Sequence, residues 1–204
     1  MYKCSASSTA GFIQQLAVGY VGRGYFFYVT GEIPDGKDPK TVDEKLIIKY
    51  DITGSKATRA RRKLAGRANI QLLRYQHFFV LLATPGCHSF FTDEKSVIRD
   101  AREVPIKFGP YSVSYRSGHP HVRIAREEFR NVTALLLSLA LVRSREQLEE
   151  EFERLPYEPY APVKRQLFQL LRKVNAKRNL AGLPPLTCDC LRLRRRSVRP
   201  FEVR

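Results

Sequence analysis

The apolar positions of this 204-residue chain change period near residue 125. Upstream, short runs rich in aromatic and β-branched residues are cut by turn-forming pairs, the signature of strands. Residues 25–30, 69–75, 77–84, 87–91, 104–108, 111–116 and 119–124 read this way, with Pro85-Gly86, Gly109-Pro110 and Ser117-Gly118 as turns. Three helices interrupt them. Asp38-Pro39 opens the first, where Thr41 and Glu44 have capping-box spacing and Val42, Leu46, Ile47 and Tyr50 form an apolar stripe. The second, strongly basic, covers 55–65 and stops at Gly66; the third is short, over 92–102. Downstream the period becomes 3.6, predicting helices over 125–142, 144–155 and 162–177. The pattern predicts an α+β fold: a mixed, mostly antiparallel sheet with flanking helices, followed by a helical C-terminal part and a basic tail. The expected divisions are a disordered start (1–10), a sheet domain (11–124), a helical part packed on it (125–189) and an arginine-rich tail (190–204).

Charge changes this picture from a generic domain to one with a partner. Lys plus Arg number 36 against 20 Asp plus Glu, leaving +16, and 24 of the 36 cations are Arg. Guanidinium binds phosphate through a planar fork and stacks on bases, which a hydrated ammonium does not do. The expected partner is therefore nucleic acid. Four cysteines, Cys4, Cys87, Cys188 and Cys190, are too few and scattered for a disulfide framework. The longest apolar run, 132–142, falls short of the roughly 20 residues of a membrane span. Residues 1–10 are Ser-rich without the apolar core of a secretory signal. The expectation is a cytoplasmic protein, or a nuclear one in a eukaryote, with no membrane contact.

The cations fall in blocks. Lys56, Arg59, Arg61, Arg62, Lys63 and Arg67 open a stretch with no acidic residue from 54 to 92, and Arg74 extends it into the next strand. On the predicted helix, Arg59, Arg62 and Lys63 share one face, leaving Ala57, Ala60 and Leu64 to turn inward. Arg192, Arg194, Arg195, Arg196 and Arg199 form the tail block. Between them, Lys164, Arg165, Arg172, Lys173, Lys177 and Arg178 sketch a stripe on the last helix, and Arg116 and Arg123 lie on the 111–124 hairpin. One element opposes the trend: helix 144–155 carries Glu146, Glu149, Glu150, Glu151 and Glu153, a candidate contact for a protein partner.

Candidate chemistry centres on Gly118-His119-Pro120-His121-Val122-Arg123-Ile124. On a strand, His119 and His121 point to one face, where two imidazoles can share a divalent ion such as Mg or Mn. The arrangement resembles the paired-histidine motif of HUH-type rolling-circle initiators, relaxases and transposases. That resemblance implies a metal held by His119 and His121, an apolar neighbouring strand such as 77–84, and a nucleophilic tyrosine downstream, Tyr157 or Tyr160. It further implies nicking or strand transfer in a mobile element. Pro120 stands between the histidines, and proline is confined to strand edges, starts or bulges. A zinc site built from Cys87, His88, Cys188 and Cys190 is a second metal option. Phosphate-binding loops, serine-nucleophile elbows and His-Glu-x-x-His are absent from the sequence.

Aromatic residues populate the predicted strands, and base stacking on a sheet face is one way single strands are held. Tyr111 and Tyr115 alternate with Ser112, Ser114 and Arg116, making them the stacking candidates. No helix-turn-helix, zinc-finger or basic-zipper signature is present. The expected function is backbone-dominated binding of DNA or RNA, single-stranded or structured rather than plain duplex. A HUH-like nicking enzyme and a basic subunit of a protein or ribonucleoprotein assembly are the alternatives.

Overall fold

The computed structural model describes residues 2–52, 55–195 and 198–202. The chain opens with α1 (Thr9–Gln14), continued by a π-helical turn (Gln15–Tyr20) and a 3-10 turn (Val21–Arg23). Then follow β1 (Phe27–Glu32), α2 (Pro39–Lys49), α3 (Lys56–Leu64), β2 (Ile70–Tyr75), β3 (Phe78–Ala83), α4 (Phe90–Asp93) and β4 (Arg99–Asp100). A second set of strands comprises β5 (Ile106–Phe108), β6 (Tyr111–Arg116) and β7 (His119–Ile124). The rest is helical: α5 (Arg126–Leu139), α6 (Arg145–Glu153), α7 (Ala161–Leu180) and a 3-10 turn (Cys188–Cys190). The fold is α+β, with two antiparallel sheets, ordered β2-β3-β1-β4 and β5-β6-β7, in place of the one sheet expected. Two units are distinguishable: Met1–Ile106 with Val113–His121 and Val198–Arg204, and Lys107–Ser112 with Val122–Ser197. Each of β5, β6 and β7 carries residues assigned to both units.

In the first unit, β3 is a continuous apolar run because both faces of its sheet are covered, whereas β2 carries Gln71 and Arg74 among its apolar residues. One face places Ile70, Leu72, Leu81, Ala83 and Val29 against Tyr50, Ile52 and Phe90. Each fully buried Leu there contributes roughly 1.5–3 kcal/mol. On the other face, Leu73, Val80 and Leu82 are buried, and Phe12 of α1 meets Phe78 and Tyr75 at ring distances of 5.9 and 6.4 Å. Gly31 pairs directly with Phe79, whose ring fills its empty side-chain position; a Cβ there would lie 2.5 Å from the ring. Such cross-strand fits fix the register.

A buried ion pair ties α2 to β2. Arg74 Nε donates to both carboxylate oxygens of Asp43 at 2.9 Å, and the two residues are only 8% and 6% exposed. The Cys4 thiol donates to the same carboxylate at 3.3 Å; burial, first, and the Asp43 charge push it up to about 12. Residues 2–10, expected to be disordered, are ordered here and place Cys4 and Ala6 in the core. Ser5 bridges Arg74 in parallel register, Cys4 and Ala6 are buried, and the Tyr2 hydroxyl donates to Leu72 O. Val198 is held to α1 as well, since the amide of Gln14 donates to its carbonyl at 2.6 Å and accepts from its N–H at 3.2 Å.

In the second unit, α7 buries Val163, Gln166, Leu167, Leu170, Leu171 and Val174, the i, i+3, i+4 stripe its sequence predicts. Ser144 and Gln147 form the capping box that starts α6. The Gln166 amide accepts from Ile124 N–H and donates to Ile124 O, completing the exposed ladder of edge strand β7. An edge position also tolerates Pro120 within β7.

Four local expectations are corrected. Residues 87–91 are not a strand, and the helix expected over 92–102 is not there either: α4 spans Phe90–Asp93, its Phe90 N–H donating to His88 Nδ1, and β4 follows at Arg99–Asp100. Helix α2 is capped by Asp38, which accepts from Lys40 and Thr41 N–H, not by a Thr41–Glu44 box. The helical run from Thr9 to Arg23 was hidden by its Ser-rich start, although Phe12, Ile13, Leu16, Ala17 and Tyr20 have helical spacing. Among the described residues, no helix is long and apolar enough to cross a membrane.

Candidate nucleic-acid interface

Helix α3 is nine residues long and buries none of its side chains. Its sequence explains both facts: Ser55 caps it, accepting from Thr58 N–H at 3.2 Å, and five of its nine residues are Lys or Arg. Ala57, Ala60 and Leu64, expected to face inward, are exposed, Leu64 by 89%. The inward side is instead polar. Asn69 Nδ2 donates to Arg59 O at 3.1 Å, and the Arg62 guanidinium grips both the Asp51 carbonyl (3.1 Å) and its carboxylate. Arg59 is half-buried and lies close enough to Tyr20 and Tyr25 to offset part of the rise that burial imposes on their phenols. Lys56, Arg61, Lys63 and Arg67 are exposed and make no ion pair among the described residues.

The base of α3 is hydrogen-bonded to the loop at Gly86-Cys87. Cys87 N–H donates to Gly66 O, Ala68 N–H to Cys87 O, and Gly86 lies so close that a Cβ would come 2.6 Å from Ala68 N. Gly86 also has φ +135°, which favours glycine. His88 sits beside this loop. Burial, first, and the Arg62 and Arg67 charges hold its pKa below the ordinary value.

The other predicted cations divide by environment. Arg74, buried on Asp43, is not a surface cation. In the second unit, Arg165, Arg172 and Lys173 are exposed and Lys164 is half-exposed on α7. Lys177 donates to Leu137 O, and Arg178, expected on the stripe, is 2% exposed. Arg178 donates to Ala140 O and Arg143 O, at the end of α5, and to Pro184 O, at 2.8–3.1 Å. Arg192, Arg194 and Arg195 are exposed, with Arg195 over the Tyr160 ring at 4.7 Å. Arg199 pairs with Glu202, Arg196 lies outside the described residues, and Arg116 and Arg123 are exposed on β6 and β7. On α6, Glu149 accepts from Arg145 and Thr187, whereas Glu146, Glu150 and Glu153 stay exposed.

His119 is exposed and His121 half-buried on β7, in the first unit; Pro120 between them backs onto Gly22. Among the described residues, no three His, Cys, Asp or Glu side chains come together as metal ligands. Tyr157 and Tyr160 belong to the second unit. Tyr157 is buried and donates to Glu128 at 2.7 Å; burial and that carboxylate raise its pKa. Burial pushes Tyr160 up to about 12. Phenols held protonated in this way are poor nucleophiles.

Tyr111 is buried, its hydroxyl donating to Pro156 O and accepting from Glu158 N–H, so it offers no face to a base. Tyr115 is half-exposed against Phe26 (4.6 Å between rings), and Arg102 stacks on Phe26 at 4.8 Å. That cluster, assembled from three separate segments, has no signal in the sequence. No protein-family model matches the chain, and no curated protein matches its sequence.

Proposed function

We propose that this protein binds nucleic acid chiefly through the phosphate backbone, with α3 as the main contact. One observation carries the reading: α3 has no buried side chain, and Lys56, Arg61, Lys63 and Arg67 have no carboxylate to neutralise them among the described residues. A helix shorter than about 12 residues gains little stability from its own hydrogen bonds. A short solvated helix is ordinarily laced with Glu–Lys pairs. Helix α3 lacks any acid of its own, so its exposed cations Lys56, Arg61 and Lys63 repel one another until a polyanion arrives.

The test is a titration of labelled oligonucleotide across a range of salt. Each phosphate neutralised steepens the fall of log K with log salt by about 0.9 on B-DNA and about 0.7 on single strands. Replacing Lys56, Arg61 and Lys63 together by Gln is expected to weaken binding on the order of a hundredfold at 0.1 M salt and to flatten the slope. A flat salt response in the wild-type protein overturns the reading.

A further inference from the structure

Helix α3 has a layout finer than its charge. At 100° per residue, its half-buried positions Thr58, Arg59 and Arg62 gather on the side that Asn69 and Asp51 hold. The opposite side centres on Ala60, Leu64 and Ala57. Lys56 and Lys63 run along one edge of this ridge, and Arg61 stands on the other. The outward half is thus a narrow strip of small and apolar side chains with cations on both flanks.

Resting on the nucleic-acid reading above, we infer that α3 is a groove helix: it enters the major groove of B-form duplex DNA, the ridge against base edges and the flanking cations on the two phosphate walls. The fit is dimensional and chemical. A B-DNA major groove about 12 Å wide admits an α-helix about 10–12 Å across. Ala57 and Ala60 let the backbone approach closely, and Leu64 can meet thymine methyl groups. Cations on both edges match two walls of phosphate, where a single strand offers one. The major groove of A-form RNA is too deep and narrow for a helix. An anionic membrane would also accept basic flanks, but Leu64 is the one large apolar side chain on the ridge, too little area for insertion. Burial of Tyr111 removes one of the two stacking candidates that favoured single strands.

The experiment uses the full chain with a 20-base-pair DNA duplex, an RNA duplex of the same sequence, the single DNA strand and phosphatidylserine vesicles. The DNA duplex is expected to bind at least about tenfold more tightly than the RNA duplex or the strand. A duplex whose cytosines carry 5-glucosyloxymethyl groups, which fill the major groove, is expected to bind at least about tenfold more weakly. Ala60→Trp, an uncharged change at an exposed site, is expected to weaken duplex binding by a similar factor with the melting temperature unchanged. Equal affinity for all three nucleic acids, for the glucosylated duplex and for Ala60→Trp would overturn the groove inference while leaving phosphate binding intact. Preference for vesicles would overturn it as well. Absence of salt-dependent binding to any nucleic acid would overturn the underlying reading.

Discussion

Helices α3 and α7 both carry cations and differ in how they sit in the fold. Helix α7 is amphipathic: its apolar stripe is buried, and its last cations turn back into the protein, Lys177 onto Leu137 O and Arg178 onto the carbonyls of Ala140, Arg143 and Pro184. A guanidinium there satisfies carbonyls at and just past the C-terminal end of α5, the end at which the helix dipole favours a cation. Helix α3 has no such stripe, and nothing acidic of its own. Lys56, Arg61 and Lys63 on it are exposed and make no ion pair among the described residues. Net charge in a sequence therefore measures two different quantities: cations spent on holding the fold, and cations available to a partner.

The sharpest way to break this contrast is Arg178→Met. Losing a buried cation and three hydrogen bonds is expected to cost roughly 3–5 kcal/mol in denaturant unfolding. A change below about 1 kcal/mol would show that the guanidinium is not structural. Next in size, Asp43→Asn leaves Arg74 buried without its counter-charge and is expected to cost roughly 3 kcal/mol. By contrast, the triple Gln variant of α3 should stay within about 0.5 kcal/mol of wild type, because its side chains touch little. If it destabilises as much as Asp43→Asn, α3 belongs to the fold and not to a partner.

The smallest effect concerns His88. Its folded pKa lies below the unfolded value of 6.5, so below that pH the unfolded chain takes up a proton that the folded chain resists. Its stabilising contribution is complete above 6.5 and is lost as pH falls toward the folded value. The thermal midpoint is expected to drop on acidification, and to drop less in Arg62→Gln, where one repelling charge is gone. Identical pH profiles in the two proteins would remove Arg62 as a cause.

Much of the fold was legible because its signals are local. Strands β6 and β7 occupy the predicted residues 111–116 and 119–124, bounded by Gly109-Pro110 and Ser117-Gly118. The Thr9–Arg23 helical run was missed at its Ser-rich start, and the helix expected over 92–102 is replaced by the four-residue α4, whose start is marked by no side-chain cap from Ser89. In the candidate site, the exposure of Lys56, Arg61, Lys63 and Arg67 matches the charge pattern. The orientation of α3 does not: hydrophobicity assigned Ala57, Ala60 and Leu64 to the inside, whereas Asn69 and Asp51 hold the polar side.

What the sequence by itself determined is the α+β class, the change of period near 125 and the position of the basic blocks. These follow from spacing within a few residues. Only the tertiary structure decided which cations are available. Arg74 meets Asp43 across 31 residues, and Arg178 meets Ala140 across 38. Two buried guanidiniums look the same in sequence as exposed ones, because burial is a property of what the rest of the chain brings to them, and α3 stands out because the chain brings so little.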